Sequence, residues 1–392
     1  MTETTSAPGE ATSADSEDIA LLGNSARDFL ADFVDNTYLN DRESSDEGYE
    51  PARWRRLCDL GWTAASLPDR VGGLGGGLAA AAAVAVQIGR AAFASPWLPT
   101  VRAATVLDTL GADRRFDAVL SDIAGGTIHA LVAPPDPGPR VEVSFGGGHR
   151  LTGPAVVVEW LDQSEMVVLL LPRDPGGPDA EDLWVCAVIP ADRLRDRYTV
   201  LRSVDNEHSA RLDLDGLVLD REFLIADALP GADVAYALGR ANLLRTAVMV
   251  GGGEAVLEFT ARYARERVQF GRPIGGFQAV RHLLARMAIA ADAARLTYDE
   301  ALAALSTPDA DAVRDTTPAA IASFVAGRSY TEIVLTAAQV HGGVGTTVEH
   351  ILHHHFRRAK AAQLRSGRRA DRLRELTDAL VRNPVDRLWV SR

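Results

Sequence analysis

The sequence predicts a mainly α chain with a small central β domain, in the order helix, sheet, helix. Three observations carry this. From Ile19 to about Ala124 apolar residues recur at helical spacing, as at Leu22, Ala26, Phe29 and Phe33. From about Gly125 the pattern turns to short runs of Val, Ile and Leu bounded by Gly, Pro and Asp. Beyond about Val234 the helical periodicity returns and persists. The expected division is a disordered tail over 1–17, an N-terminal helical domain over 18–124, a middle β domain over 125–232 and a C-terminal helical bundle over 233–392.

Each part has its own local signals. Trp54, Leu57 and Leu60 fit a short amphipathic helix stopped near Gly61, where a glycine takes the left-handed cap. The glycines from Gly72 to Gly77 have no strand before them and no Gly-Lys-Ser/Thr after them, so they predict a connecting loop, not a phosphate cradle. Candidate strands are Ile128 to Val132, Val141 to Phe145, Ala155 to Trp160, Met166 to Leu171, Leu183 to Ile189 and Ala210 to Leu219, with a hairpin loop at Gly146 to Gly148. Phe277, Val280, Leu284, Met287, Ala291 and Ala294 trace a stripe at three- and four-residue steps, so a long helix there must bury one face. Asp309, Asp311 and Thr316 to Pro318 predict a break before a helix over Ala319 to about Val340, and a further helix is expected over Glu349 to Arg358.

Composition narrows the function. A formal net charge of −12 argues against a nucleic-acid surface. Cys58 and Cys186 stand far apart with no metal spacing, which suits buried thiols in a reducing cytoplasm. The first residues lack the apolar run of a secretory signal, and the Ala-rich stretch after Leu78 is interrupted by Gln87 and Arg90, so no membrane span is expected. His350, His353, His354 and His355 include zinc-capable spacings, but a basic run at Arg357, Arg358 and Lys360 follows them and no metal is expected. Polar subunit packing, or contact of those bases with ligand phosphates, is the expected use.

Two long motifs carry more. Residues 265–287 read Arg-Glu-Arg-Val-Gln-Phe-Gly-Arg-Pro-Ile-Gly-Gly-Phe-Gln-Ala-Val-Arg-His-Leu-Leu-Ala-Arg-Met, and residues 339–349 read Gln-Val-His-Gly-Gly-Val-Gly-Thr-Thr-Val-Glu. With the turn Leu67-Pro-Asp-Arg-Val-Gly-Gly-Leu-Gly they resemble the acyl-CoA dehydrogenase family over nearly the whole chain. That resemblance implies an N-terminal helical domain, a middle β-barrel or sandwich and a C-terminal helical bundle. It implies FAD as cofactor, α,β-desaturation of an acyl-CoA, electron transfer to an electron-transfer flavoprotein or similar acceptor, and a homo- or heterotetramer with a related subunit. Arg267, Phe270, Gln278, Gln339, Gly342, Gly343 and Gly345 correspond to residues that meet a dinucleotide held largely by a neighbouring subunit. An arginine fork suits a pyrophosphate, and glycines let backbone N–H groups approach an anion. Glu349 is the candidate base, a task that calls for a carboxylate in a dry pocket.

The middle domain departs from the family pattern. Where family members that cradle their own flavin have a Thr-Glu-Pro-like turn, this chain has Leu131-Val-Ala-Pro-Pro-Asp-Pro-Gly. Where they carry Trp-Ile-Thr, it has Val157, Val158 and Glu159, with Trp160 late and expected in the core or at an interface. A glutamate there would add negative charge beside a reduced flavin. Two further readings follow from the resemblance: a non-catalytic subunit that completes a partner's FAD site, and a flavin-dependent monooxygenase on the same fold. A bulky substrate such as a steroid side-chain thioester is implied by analogy with two-subunit relatives.

Overall fold

A computed structural model describes residues 13–111, 113–133, 138–143, 148–174, 181–205, 207–306, 314–367 and 369–382. Six helices come first: α1 (Ser13–Ala31), α2 (Asn36–Glu43), α3 (Pro51–Asp59), α4 (Gly77–Arg90), α5 (Trp97–Leu110) and α6 (Asp117–Ala124). Helix α1 takes in the last residues of the expected tail. Trp54 and Leu57 of α3 are buried, and Gly61 beyond its end has φ +78°, the left-handed conformation a stop requires.

Ten strands follow: β1 (His129–Val132), β2 (Arg140–Val143), β3 (His149–Thr152), β4 (Val156–Glu159), β5 (Met166–Pro172), β6 (Leu183–Pro190), β7 (Tyr198–Arg202), β8 (His208–Leu212), β9 (Val218–Leu219) and β10 (Leu224–Pro230). They form one sheet in the order β1-β5-β6-β10 and two three-stranded sheets, β2-β3-β9 and β4-β8-β7. Strand β5 is apolar along its length because both of its faces are covered. Val168 and Leu170 face α5, α6 and α7 (Gly231–Glu266), while Val167, Leu169 and Leu171 face β4 and β8.

The expected strand over Ala210 to Leu219 is instead two, β8 and β9, separated at Asp213 to Leu217. Asp213 there accepts the Asp215 N–H at 3.0 Å, an Asp-Gly turn at Asp215-Gly216 that breaks the run. Strands β3, β7 and β10 had no counterpart in the expectation: His-Arg-Leu-Thr is half polar, Tyr198–Arg202 is a largely exposed edge, and Asp227 and Pro230 interrupt the apolar pattern of the last. Much of the Leu131–Gly138 turn, the hairpin loop at Gly146 and Gly147, the end of the Val141–Phe145 run, and Asp309 and Asp311 lie outside the described residues.

The C-terminal layer begins with α7. A small hairpin, β11 (Val268–Gln269) and β12 (Arg272–Pro273), leads to α8 (Gln278–Ser306), α9 (Thr317–His341), α10 (Leu352–Arg365) and α11 (Arg369–Arg382). Met287, Ala291 and Ala294 of α8 are buried as their stripe requires. Helix α10 does not start at Glu349: the glutamate lies in a turn ahead of it, and the helix runs nearly two turns past Arg358. Helices α4 and α7 cross at backbone contact. A Cβ on Gly89 would stand 2.0 Å from the Val248 carbonyl oxygen, and one on Gly251 would stand 2.0 Å from that of Val86, so only glycine admits this approach. No described helix is long and apolar enough to cross a membrane.

Candidate functional site

The residues singled out by the two motifs gather where α7 and α9 end. Arg267 follows the last residue of α7, and its N–H donates to the Tyr263 carbonyl at 2.8 Å. The hairpin that follows turns on Phe270 (φ +51°) and Gly271 (φ +80°). Positive φ at both central residues is the two-residue turn that matches strand twist, and it holds a phenylalanine in a backbone region that disfavours it. Phe270 is 91% exposed, with its ring edge-on to Phe277 at 6.0 Å. Arg272 lies over Phe277 at 4.2 Å, and Gln278 opens α8 exposed, its amide 3.0 Å from His282 Nε2.

Helix α9 reaches the same place. His341, two residues after the exposed Gln339, stacks on Tyr263 at 4.3 Å and meets Thr260 Oγ1 at 3.3 Å through Nε2. Burial and then the neighbouring His350 push His341 down to about 4, so it is neutral at pH 7. Gly342 ends α9 with φ +62°, and the turn over Gly342–Thr346 leaves Gly342 and Gly343 exposed and Gly345 packed, where a Cβ would stand 2.8 Å from that of His341. Asn36 and Asn40 of α2 both donate to the Val348 carbonyl, at 2.9 and 3.1 Å, and fix the end of the turn. Arg267, Phe270, Gln278 and Gln339 thus stand on adjoining helix ends, all facing solvent. Glu349 shares the region, and its side chain is exposed on the single chain.

A second locus lies between the sheets and the helices. A cleft of ≈560 Å³ is walled by Leu131 to Ala133 and Val156 to Glu159, the two stretches that depart from the family pattern, and floored by Arg102 of α5, Arg245 of α7 and Arg365 of α10. Glu159 sits among these arginines. It accepts from Arg245 Nη1 at 2.9 Å and from Arg245 Nη2, and lies 3.2 Å from Arg365 Nε and 3.6 Å from Arg102 Nη1. Arg365 also donates to Asp205 and, at 3.2 Å, to Ser203, and Arg358 donates to Glu207 at 2.5 Å. Burial alone would raise the Glu159 pKa, but Arg245, Arg365 and Arg102 outweigh it and hold the carboxyl well below the usual range. Burial, aided by Arg245, pulls Arg102 down to about 9, still cationic at pH 7.

This cluster corrects the charge argument made from sequence. Glu159 does not present a bare negative charge, because three guanidiniums surround it. Most of the guanidinium groups in the cleft are engaged with Glu159, Asp205 and Asn242, and Arg102 Nε is left buried without a partner among the described residues. Glu159 stands where the family pattern has a threonine, and a carboxylate committed to arginines cannot donate to a flavin ring as that hydroxyl would. Trp160 does not face the cleft. It is buried, at φ +57°, stacked on His208 at 5.0 Å. Sequence reading missed Arg102, Arg245 and Arg365, which come from three separate helices. The signal was an arginine inside an otherwise apolar helix face, as in Leu243-Leu-Arg-Thr-Ala-Val-Met-Val250.

Helix, small sheet and helix, with glycine and arginine motifs at the ends of long C-terminal helices, is the three-part order of an acyl-CoA dehydrogenase-like fold. Residues 16–127 match the acyl-CoA dehydrogenase N-terminal domain and residues 232–379 the acyl-CoA dehydrogenase C-terminal domain. Acyl-CoA dehydrogenase FadE27 of Mycobacterium tuberculosis is 31% identical over 354 residues, which is 87% of this chain and 91% of that protein. The chain belongs to the acyl-CoA dehydrogenase family. Among solved structures, the ChsE4-ChsE5 complex from Mycobacterium tuberculosis aligns with a TM-score of 0.80 at 27% identity, covering 96% of this chain and 99% of that one. A variant of the Tcur3481-Tcur3483 steroid ACAD aligns with a TM-score of 0.81 at 26% identity, covering 94% and 99%.

Proposed function

We propose that this chain is one of two related subunits of an FAD-dependent acyl-CoA dehydrogenase, and that it completes the dinucleotide site of its partner without holding a flavin ring in its own cleft. The observation that carries this is the engagement of Glu159 by Arg245, Arg365 and Arg102 at the place where ring-holding relatives have a threonine. The outward-facing Arg267, Phe270, Gln278 and Gln339, with the Gly342–Gly345 turn, form the edge offered to the partner. Arg267 would meet the pyrophosphate with its fork, Gln339 and the turn N–H groups would hold the same group, and Phe270 would cover an apolar portion. When bound, FAD supplies the hydride acceptor for α,β-desaturation of an acyl-CoA. The proton would go to a carboxylate of the partner, as Glu349 is exposed on this chain and a base calls for a dry pocket. The two-component relatives, one of them a steroid ACAD, favour a bulky thioester substrate and a heterotetramer. An electron-transfer flavoprotein or similar acceptor downstream follows from the family resemblance.

Flavin stoichiometry tests the assignment. Purified alone, the chain should be colourless; co-purified with the related subunit, it should carry about one flavin per pair of chains. A yellow assembly of this chain alone, with one flavin per chain, would overturn the proposal. In the active pair, Glu349→Gln should leave turnover within about twofold, because losing a true general base costs about 10²–10⁴-fold. A loss in that larger range would restore Glu349 as the base.

A further inference from the structure

The basic run noted in the sequence separates in three dimensions. Arg357 turns to Glu43 and Arg358 to Glu207, but Lys360 points away from both, into a cleft between α9, α10 and α11. The cleft measures ≈330 Å³, at the lower end of the ligand-pocket range of about 300–1,000 Å³. Arg328 of α9, Lys360 of α10, and Arg369 and Arg372 of α11 border it, and no Asp or Glu is among its lining residues. In a chain where acids outnumber Lys and Arg by 53 to 41, four bases around one cleft are a concentration against the overall balance. Lys360 is moreover the only lysine in the sequence. Among the described residues its ammonium gives one hydrogen bond, to Gln363 Oε1 at 3.2 Å, which leaves donor capacity for a ligand. Phe324 and Leu364, the latter 60% exposed, give the same cleft an apolar face.

We infer that this cleft binds a nucleotide, its phosphates among Arg328, Lys360, Arg369 and Arg372 and its base against Phe324 and Leu364. The cations alone would take any polyanion. The flat apolar face beside them, in a space too large for a bare phosphate, selects a ligand with a ring attached. The cleft lies apart from the α7 and α9 ends that carry Arg267 and Gln339, so the inference stands whether or not the flavin assignment does. A free nucleotide and the nucleotide end of coenzyme A share this chemistry.

Because the chain has a single lysine, amine acetylation followed by peptide mass spectrometry reads this cleft directly in the unmodified protein. ADP at about 1 mM should slow Lys360 acetylation at least about fivefold, and inorganic pyrophosphate should protect only at higher concentration because it lacks the ring. Coenzyme A protecting as well as ADP would assign the cleft to the thioester carrier; ADP protecting better would assign it to a free nucleotide. Arg328→Glu with Arg369→Glu should weaken ADP binding by about tenfold or more in calorimetry, Phe324→Ala should weaken ADP but not pyrophosphate, and Arg195→Glu on a distant surface should change neither. Lys360 acetylation unaffected by ADP in the unmodified protein would overturn the inference without reliance on any variant. Equal ADP binding in the double variant, or an equal loss in Arg195→Glu, would overturn it as well.

Discussion

Glu159→Gln probes the charge cluster with the least change of shape. The amide keeps the side chain's volume and removes the one negative charge that three guanidiniums share. Glu159, Arg245, Arg365 and Arg102 are 14, 8, 19 and 12% exposed, so the relevant figure is that for breaking a buried pair, about 3–5 kcal/mol, and not the roughly 0–1 kcal/mol of a surface one. With an unfolding entropy of about 2.1 cal/mol/K per residue, a chain of 392 residues loses about 4–6 °C of melting midpoint. Scanning calorimetry at neutral pH measures this, and the loss should change little with added salt because the pair is screened from it. The pH dependence has a fixed sign. The arginines hold the folded-state pKa of Glu159 below its unfolded value of about 4.3, so its stabilisation is complete above that value and is lost as pH falls below it. The variant's acid limb should therefore be shallower. A midpoint shift under about 1 °C, or acid limbs of equal slope, would refute the view of Glu159 as a buried counter-ion.

Two further outcomes concern the exposed edge. In the assembled pair, Arg267→Ala should lower FAD affinity by about 10–150-fold, the loss of about 1.5–3 kcal/mol from hydrogen bonds to a charged group, as read by dialysis of the cofactor; unchanged affinity would remove Arg267 from the site. Phe270→Gly separates packing from binding. It relieves a left-handed backbone that costs about 1–2 kcal/mol, against a glycine entropy cost of about 0.5–1 kcal/mol, so the melting midpoint should hold or rise slightly while FAD affinity falls. A drop of several degrees would mean that the ring supports the hairpin after all.

The parts of this fold visible in the sequence are those set by local periodicity. The α8 stripe at Met287, Ala291 and Ala294 is buried because helical spacing leaves it no other face, and β5 reads as a strand because both of its sides meet apolar layers. The start of α10 was misjudged because its N-cap position is Ile351, which has no capping oxygen, and the first N–H, that of Leu352, is met by His350 Nδ1 at 3.1 Å, a residue type that does not mark a helix start in sequence. The exposed edge was legible from contiguous motifs. The cluster around Glu159 was not, since it joins α5, β4, α7 and α10 across more than two hundred residues of sequence, and only a folded chain brings them within hydrogen-bond reach.

The contact of Gly89 and Gly251 with opposing backbone reaches beyond those two positions. Arg245 lies on α7 less than two turns before Gly251, so the depth to which α4 and α7 are seated sets how far the guanidinium extends toward β4. A methyl group introduced at either glycine would act as a wedge under one end of a lever whose other end holds a counter-ion. The effect of an uncharged, remote replacement would then register as a change in the acidity of a carboxyl group on another layer of the molecule.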